Sequence, residues 1–285
     1  MYSEPEPEIA ERMRGMHTSA AAALQATPKS SREAWGWRGR TLSRPVAASS
    51  GDGWLRVVSA PADKAGGKLW EGPQEAERFM PPAVPRPRLR ARLTWTEGGY
   101  GYLAELYDKV TARTVTTHEP ILRAAPNLDA AWWDGLSSAL DAIAAVPTGR
   151  VAVRQEYLDR AMPLYLGMPI DTTAPAWSTA HGDLHWANLT SPGLTLLDWE
   201  GWGLAPTGYD AALLHAYSLL VPETAAKIRH HLGHVLDTPH GRFAELVVIT
   251  ELLQTTTRGD NLELEGPLRT RLACLTGRSE SGQVA

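Results

Sequence analysis

A single cysteine, Cys274, in 285 residues excludes an internal disulfide and any cysteine-based zinc cluster. No apolar run approaches the roughly 20 residues that span a bilayer. The opening, MYSEPEPEIAER, is acidic and proline-rich, the wrong chemistry for a secretory signal. A cytoplasmic location with no membrane partner is the expectation. There is no basic excess either: the net charge of −4 argues against a dedicated nucleic-acid binder. Lysine is scarce, with five against 23 arginines, and no segment has the G-x-G-x-x-G spacing of a phosphate-binding loop.

What remains is ordinary for a globular chain: 43% hydrophobic and 21% charged residues. The length suffices for one large domain or two lobes, each with a core. Residues 1–106 hold 15 Lys and Arg against 12 Asp and Glu; residues 107–285 hold 13 against 20. A basic first part suits a phosphate-bearing ligand and an acidic second part a cationic one, although scattered solvated charge explains both. Residues 1–34 read as a leader, partly disordered or helical. Residues 35–106 alternate short β-like runs with Gly-, Ser- and Asp-rich turns around one helical stretch, LWEGPQEAERFM. From 107 to 285 the pattern is helical: LDAAWWDGLSSALDAIAAV, VAVRQEYLDRAMPLYLGM, GYDAALLHAYSLL, ETAAKIRHHLGHVL and GRFAELVVITELLQTTTR carry the apolar residues. The final SGQVA reads as loose.

The chemistry concentrates in 180-AHGDLHWANLTSPGLTLLDWEGWG-203. Leu189-Thr190 and Leu194 to Leu197 are β-like runs around Ser191-Pro192-Gly193, the pattern of a hairpin. A hairpin brings Asn188 at one end beside Asp198 at the other. An amide oxygen and a carboxylate are hard ligands that leave several positions open, which is how Mg²⁺ is held beside a nucleotide phosphate. Asp183, five residues before Asn188, is placed to accept a proton from an incoming hydroxyl. One rival pattern is present: His181, Asp183 and His185 alternate and could form a transition-metal site, but that leaves Asn188 and Asp198 unused. His230, His231 and His234 share a helix, and a solvated face explains them.

His-x-Asp-x-x-x-x-Asn followed by an Asp at a strand end is the catalytic-loop pattern of phosphoryl transfer in the protein-kinase fold. HGDLHWAN followed by LLDWE resembles the aminoglycoside phosphotransferase family in particular. The likeness is specific over 181–210 and looser over about 35–260. It implies an α+β, bilobal protein-kinase-like fold: an N-lobe of antiparallel sheet plus one helix, a mainly helical C-lobe, and a nucleotide between them. It further implies that Asp183 is the proton acceptor, that Asn188 and Asp198 are the Mg²⁺ ligands, that His181 braces the loop, and that Asp210 in GLAPTGYDAALL braces it from the following helix. Gly182 stands where protein kinases have Arg, which speaks against a kinase controlled by activation-loop phosphorylation.

Such an N-lobe also uses a strand Lys on the phosphates and a helix carboxylate to hold it. GWLRVVSA offers Arg56 instead, with Lys64 and Lys68 as alternatives in the loop that follows. Glu75 in EAERF is the expected partner, with Glu71 and Glu77 as competitors. The base is expected near Glu105-Leu106-Tyr107. Either WGWRGR or SSGDG could cover the phosphates.

The implied activity is ATP- or GTP-dependent phosphorylation of a small-molecule hydroxyl, with no protein partner implied. The contrasting reading is a non-catalytic, kinase-shaped binding protein, motivated by the missing lysine and glycine loop. Trp186, Trp199 and Trp202 bracket the candidate residues and either wall an acceptor pocket or pack the core. Glu251, Asp260, Glu263 and Glu265 either line the acceptor pocket and favour a cationic acceptor such as an aminoglycoside, or form a solvated acidic loop.

Overall fold

The computed structural model describes residues 3–49, 51–117 and 119–277, and the expected looseness of 281–285 lies outside them. The chain forms two compact units. The first comprises 1–79 with 86–113, and the second 80–85 with 114–285.

In the first unit, α1 (Pro7–Ala23) begins with proline in its first turn, where the missing N–H is no loss. Its buried residues Ala10, Met13, His17, Ala20 and Ala21 recur at helical spacing and form one face. The strands are β1 (Ala26–Pro28), β2 (Ala34–Trp35), β3 (Thr41–Ala48), β4 (Gly51–Pro61), β5 (Leu89–Glu97) and β6 (Tyr100–Asp108). They pair antiparallel in the order β1-β3-β4-β6-β5, with β2 also on β3. Gly98 and Gly99, with φ of 57° and 80°, make the tight β5–β6 turn that L-residues resist. A second helix, α2 (Lys68–Phe79), lies between β4 and β5 in sequence. Strand alternation separates two faces. Leu55, Val57, Tyr102, Ala104 and Leu106 share a core with Ala10, Met13, Ala20 and Ala21 of α1. Val58, Ala60 and Leu103 pack with Trp70 of α2 on the other face. The segment read as a leader thus contains a helix built into this core. A two-residue strand, β7 (Arg113–Thr114), follows.

The second unit is mainly helical: α3 (Ala130–Ala144), α4 (Gln155–Leu166), α5 (Tyr209–Ala216), α6 (Pro222–Leu236), α7 (Pro239–Thr256) and α8 (Glu265–Thr276). Asp129 caps α3 by accepting from the Trp132 N–H, and Thr238 caps α7 by accepting from the Gly241 N–H at 3.0 Å. Apolar residues surround α7 on all sides, and it packs against α4, α5, α6 and α8. That distribution belongs to a central helix. Strands β8 (Trp177–Ala180), β9 (Thr190–Ser191) and β10 (Gly203–Pro206) complete the unit. The pairing of β8 with β10, Ala180 opposite Gly203, pins together both ends of the motif-bearing loop. No helix among the described residues is long and apolar enough to cross a membrane.

Candidate active site

Asp210, in the first turn of α5, accepts from two consecutive backbone groups of the loop: the His181 N–H at 2.6 Å and the Gly182 N–H at 3.0 Å. Burial raises its pKa, opposed by the charge of His181 and these hydrogen bonds. Gly182 has φ 83°, and a Cβ there would meet the Gly201 carbonyl oxygen at 3.1 Å, so glycine suits the position. His181 is fully buried; its Nε2–H donates to the Leu197 carbonyl at 2.9 Å, and its ring meets Trp199 edge-on at 4.7 Å. His181 therefore ties the start of the loop to the residue just before Asp198.

The expected hairpin is present. Leu189 bridges Leu196, the Leu197 N–H donates to the Asn188 carbonyl at 2.8 Å, and the Thr190 N–H donates to the Thr195 carbonyl. Asp198 thus follows one residue after the bond that joins the two arms at Asn188. Its φ of 62° is left-handed, a conformation that costs an L-residue on the order of 1 kcal/mol and that concentrates at functional sites. Its side chain is exposed and, among the described residues, has no hydrogen-bond or ion-pair partner.

Asn188 is buried. Its Nδ2 donates to the Asp183 carbonyl at 2.9 Å and to Asp183 Oδ2 at 3.2 Å, and lies 3.2 Å from His185 Nε2. With the amide nitrogen committed, Oδ1 is left for another partner. The Asp183 side chain is 52% exposed, and His185 Nε2 faces its Oδ2 at 3.6 Å. The surrounding chain pushes the Asp183 pKa up, but His185 and Asn188 outweigh this and hold it below the ordinary value. Asn188 and Asp198 thus provide two hard oxygens with open positions, the donor set that suits Mg²⁺. Among the described residues no group of three His, Cys, Asp or Glu could hold a metal, so the alternating His181, Asp183 and His185 do not form the rival transition-metal site.

The first-unit expectations need correction. Arg56 lies directly across from Glu105 in the β4–β6 ladder, and its Nη1 donates to Glu105 Oε2 at 3.3 Å. Glu105 is fully buried and also lies opposite Arg92 of β5. Removing one partner of a buried ion pair costs about 3–5 kcal/mol, so Glu105 needs its arginine. Glu75, half-buried on α2, makes no ion pair among the described residues, so the expected Arg56–Glu75 pair is replaced by Arg56–Glu105. Its neighbour Glu77 holds Arg86 and Arg88. Glu105 and Tyr107 sit inside a strand paired on both sides, so neither presents a free peptide edge to a base. WGWRGR precedes β3 at the Thr41 end, and SSGDG joins β3 to β4 at the other end, with Ser50 outside the described residues.

Trp186, Trp199 and Trp202 are all buried, so core packing is their role. Trp186 stacks on Trp132 at 6.3 Å and donates to Ser218 Oγ at 2.8 Å. The acidic cluster also divides. Glu263 pairs with Arg123, Glu265 pairs with Arg269 at 2.8 Å, and Asp260 is exposed. Among the described residues neither Asp260 nor Glu251 pairs with a cation, and Glu251 accepts instead from the Tyr209 hydroxyl at 2.6 Å. Burial raises its pKa to about 7. Tyr209 and Tyr217 both feel the charges of Glu251 and Asp183, which places these four residues in one neighbourhood. The two tyrosines, like the approach of His185 to Asp183, were not read from sequence. Tyr209 stands beside Asp210 in the motif, but nothing in the spacing shows that it turns toward α7.

No protein-family model and no curated protein sequence matches the chain. Solved structures do match in fold. An amicoumacin kinase in complex with AMP-PNP and Ca²⁺ is 11% identical with TM-score 0.58, over 93% of this chain and 96% of that one. A spectinomycin phosphotransferase in complex with ADP and spectinomycin is 11% identical with TM-score 0.56, over 92% of each chain. The fold is therefore the α+β protein-kinase-like fold of small-molecule phosphotransferases.

Proposed function

We propose that the protein is a nucleotide-dependent phosphotransferase that acts on a hydroxyl of a small molecule. The observation that carries this reading is the placement of Asp183, Asn188 and Asp198 by one hairpin and its braces. Asp183 keeps an ionised, half-exposed carboxylate beside an amide whose nitrogen is already committed. In the reaction the acceptor's hydroxyl proton passes to Asp183, and its oxygen bonds to the terminal phosphorus. The bond to the bridging oxygen breaks, releasing the nucleoside diphosphate. Asn188 and Asp198 would hold Mg²⁺, which when bound neutralises phosphate charge. The proposed nucleotide is ATP or GTP, and the proposed setting is the cytoplasm. Arg56, held by Glu105, is the candidate phosphate-binding cation of the first unit. Its planar fork differs from the point charge of lysine.

The related folds include enzymes named for amicoumacin and spectinomycin, which supports a small-molecule acceptor. A cationic acceptor fits Glu251, which has no cation of its own among the described residues and accepts from Tyr209 instead. A second reading, a kinase-shaped binding protein without turnover, is favoured by one observation: the strand cation is an arginine already engaged by Glu105.

Asp183→Asn separates the two. The expected outcome is an unchanged thermal shift with Mg·ATP and a loss of transfer of about 10²-fold or more, the scale of general-base catalysis. The assay is acceptor-dependent nucleotide consumption across aminoglycosides, other antibiotics, amino alcohols and sugars. Wild-type transfer by this variant would remove Asp183 from the reaction. Nucleotide binding by the wild type with no turnover on any acceptor would favour the binding protein.

A further inference from the structure

We propose that His185 is a positioning residue: with its proton on Nε2 it joins Asn188 in holding Oδ2 of Asp183, leaving Oδ1 to meet the acceptor hydroxyl. The inference rests on the phosphotransfer reading and assigns the two carboxylate oxygens different tasks. The Asn188 amide donates to Oδ2 at 3.2 Å, and His185 Nε2 lies 3.6 Å from the same oxygen, just beyond hydrogen-bond distance. The second contact is long, as such contacts often are before substrate binds. Among the described residues Oδ1 has no partner, and half of the side chain is open to solvent.

The ring itself supplies the tautomer. His185 Nδ1 is buried and has no hydrogen-bond partner. An N–H there would be an orphaned buried donor, which proteins tolerate less well than an unused lone pair. The proton therefore belongs on Nε2. Asn188 Nδ2 also lies 3.2 Å from His185 Nε2, but one of its two hydrogens goes to the Asp183 carbonyl, and the charged Oδ2 is a stronger acceptor for the other than a neutral ring nitrogen. Tyr217 packs edge-on against the ring at 6.0 Å, and the ring nitrogen and the amide are locked three residues apart by the Asn188 N–H bond to the His185 carbonyl at 2.9 Å. A carboxylate held at one oxygen cannot turn away from the hydroxyl, and such orientation acts directly on the rate of transfer.

The test uses the whole chain with ¹⁵N-labelled histidine. Long-range ¹H–¹⁵N spectra report which ring nitrogen carries the proton, and His185→Gln assigns the signal by its loss. The expected result is a neutral ring protonated on Nε2, with a signal that moves in Asp183→Asn. Kinetics use phosphate release from Mg·ATP with water as acceptor. His185→Leu should lower kcat about tenfold or more with KM for Mg·ATP within about threefold, as expected for a lost bond to a charged group. His185→Gln, which restores an N–H near Nε2, should recover most of that loss. A proton on Nδ1, or a glutamine variant as slow as the leucine variant, overturns the role of His185 and leaves phosphotransfer standing. A wild type that neither hydrolyses Mg·ATP nor is stabilised by it overturns phosphotransfer, and the role of His185 with it.

Discussion

Three carboxyl groups of the second unit show how surroundings set charge at the residue scale. Asp183 is held below its ordinary pKa, where hydrogen bonds overcome burial, and Asp210 above it, where burial wins despite two backbone donors. Glu251 is raised to about 7 by burial, with only Tyr209 opposing. An unfolded Glu ionises near 4.5. Between that value and about 7 the folded chain keeps a proton that the unfolded chain has released. Glu251 therefore favours folding fully below 4.5, and this contribution disappears as pH rises through 7. Glutamine does not titrate. Glu251→Gln should accordingly gain stability relative to wild type between about pH 5 and pH 8, by up to about 3 kcal/mol. Melting temperatures of both proteins across that range check it, and a difference that is flat or shrinks with pH would contradict the buried acid. The grouping of Asp183, Asn188 and Asp198 was legible because all three lie in one short stretch, the loop and hairpin of 181–198. The partner of Arg56 was not legible, since Glu105 reaches it only through the register of β4 against β6. Tryptophans gave no guidance for a similar reason: composition does not distinguish a pocket wall from a core.

At the scale of elements, α1 and α8 are where sequence reading fell short. ERMRGMHTSAAAALQA has few large apolar residues, so its buried face is easy to miss. That face is mostly alanine, which lets the helix approach the sheet closely, while Met13 and His17 fill the interface. His17 Nε2–H donates to the Leu55 carbonyl at 3.1 Å, and burial lowers its pKa to about 4, so it docks as a neutral ring. The acidic run before α8 masked the spacing of Leu264, Leu268 and Leu272, which are buried four residues apart. Pro267 falls in the first turn of α8, where proline is tolerated. If α1 belongs to the core, Met13→Ala should destabilise by about 2–4 kcal/mol, because Met13 is fully buried and truncation leaves a cavity. Glu11→Ala, at an exposed position of the same helix, should change stability by less than about 0.5 kcal/mol. Denaturant titration compares them, and equal stabilities would mean that α1 contributes nothing to the core.

At the scale of the whole molecule, a kinase-like fold persists at 11% identity to its structural neighbours. Such distance is possible because the fold asks only for apolar periodicity and turns at the right places, which many sequences satisfy. The proposed chemistry asks for more, and the proposed proton acceptor and metal ligands all lie within 181–210. The proposed metal function can therefore be tested without disturbing the scaffold. Asp198 is exposed and has no protein partner among the described residues, so replacing it with alanine breaks no hydrogen bond. A ligand that binds only the native state stabilises it by about 2.7 kcal/mol at a hundred times its Kd. For a unit of 150–250 residues that is a rise of roughly 5–10 °C in Tm. Wild type should show this rise with ATP and Mg²⁺ and a smaller one with ATP and EDTA. Asp198→Ala should retain its melting temperature without ligand and its response to ATP in EDTA, while losing the increment that Mg²⁺ adds. Retention of that increment would place the metal on other residues.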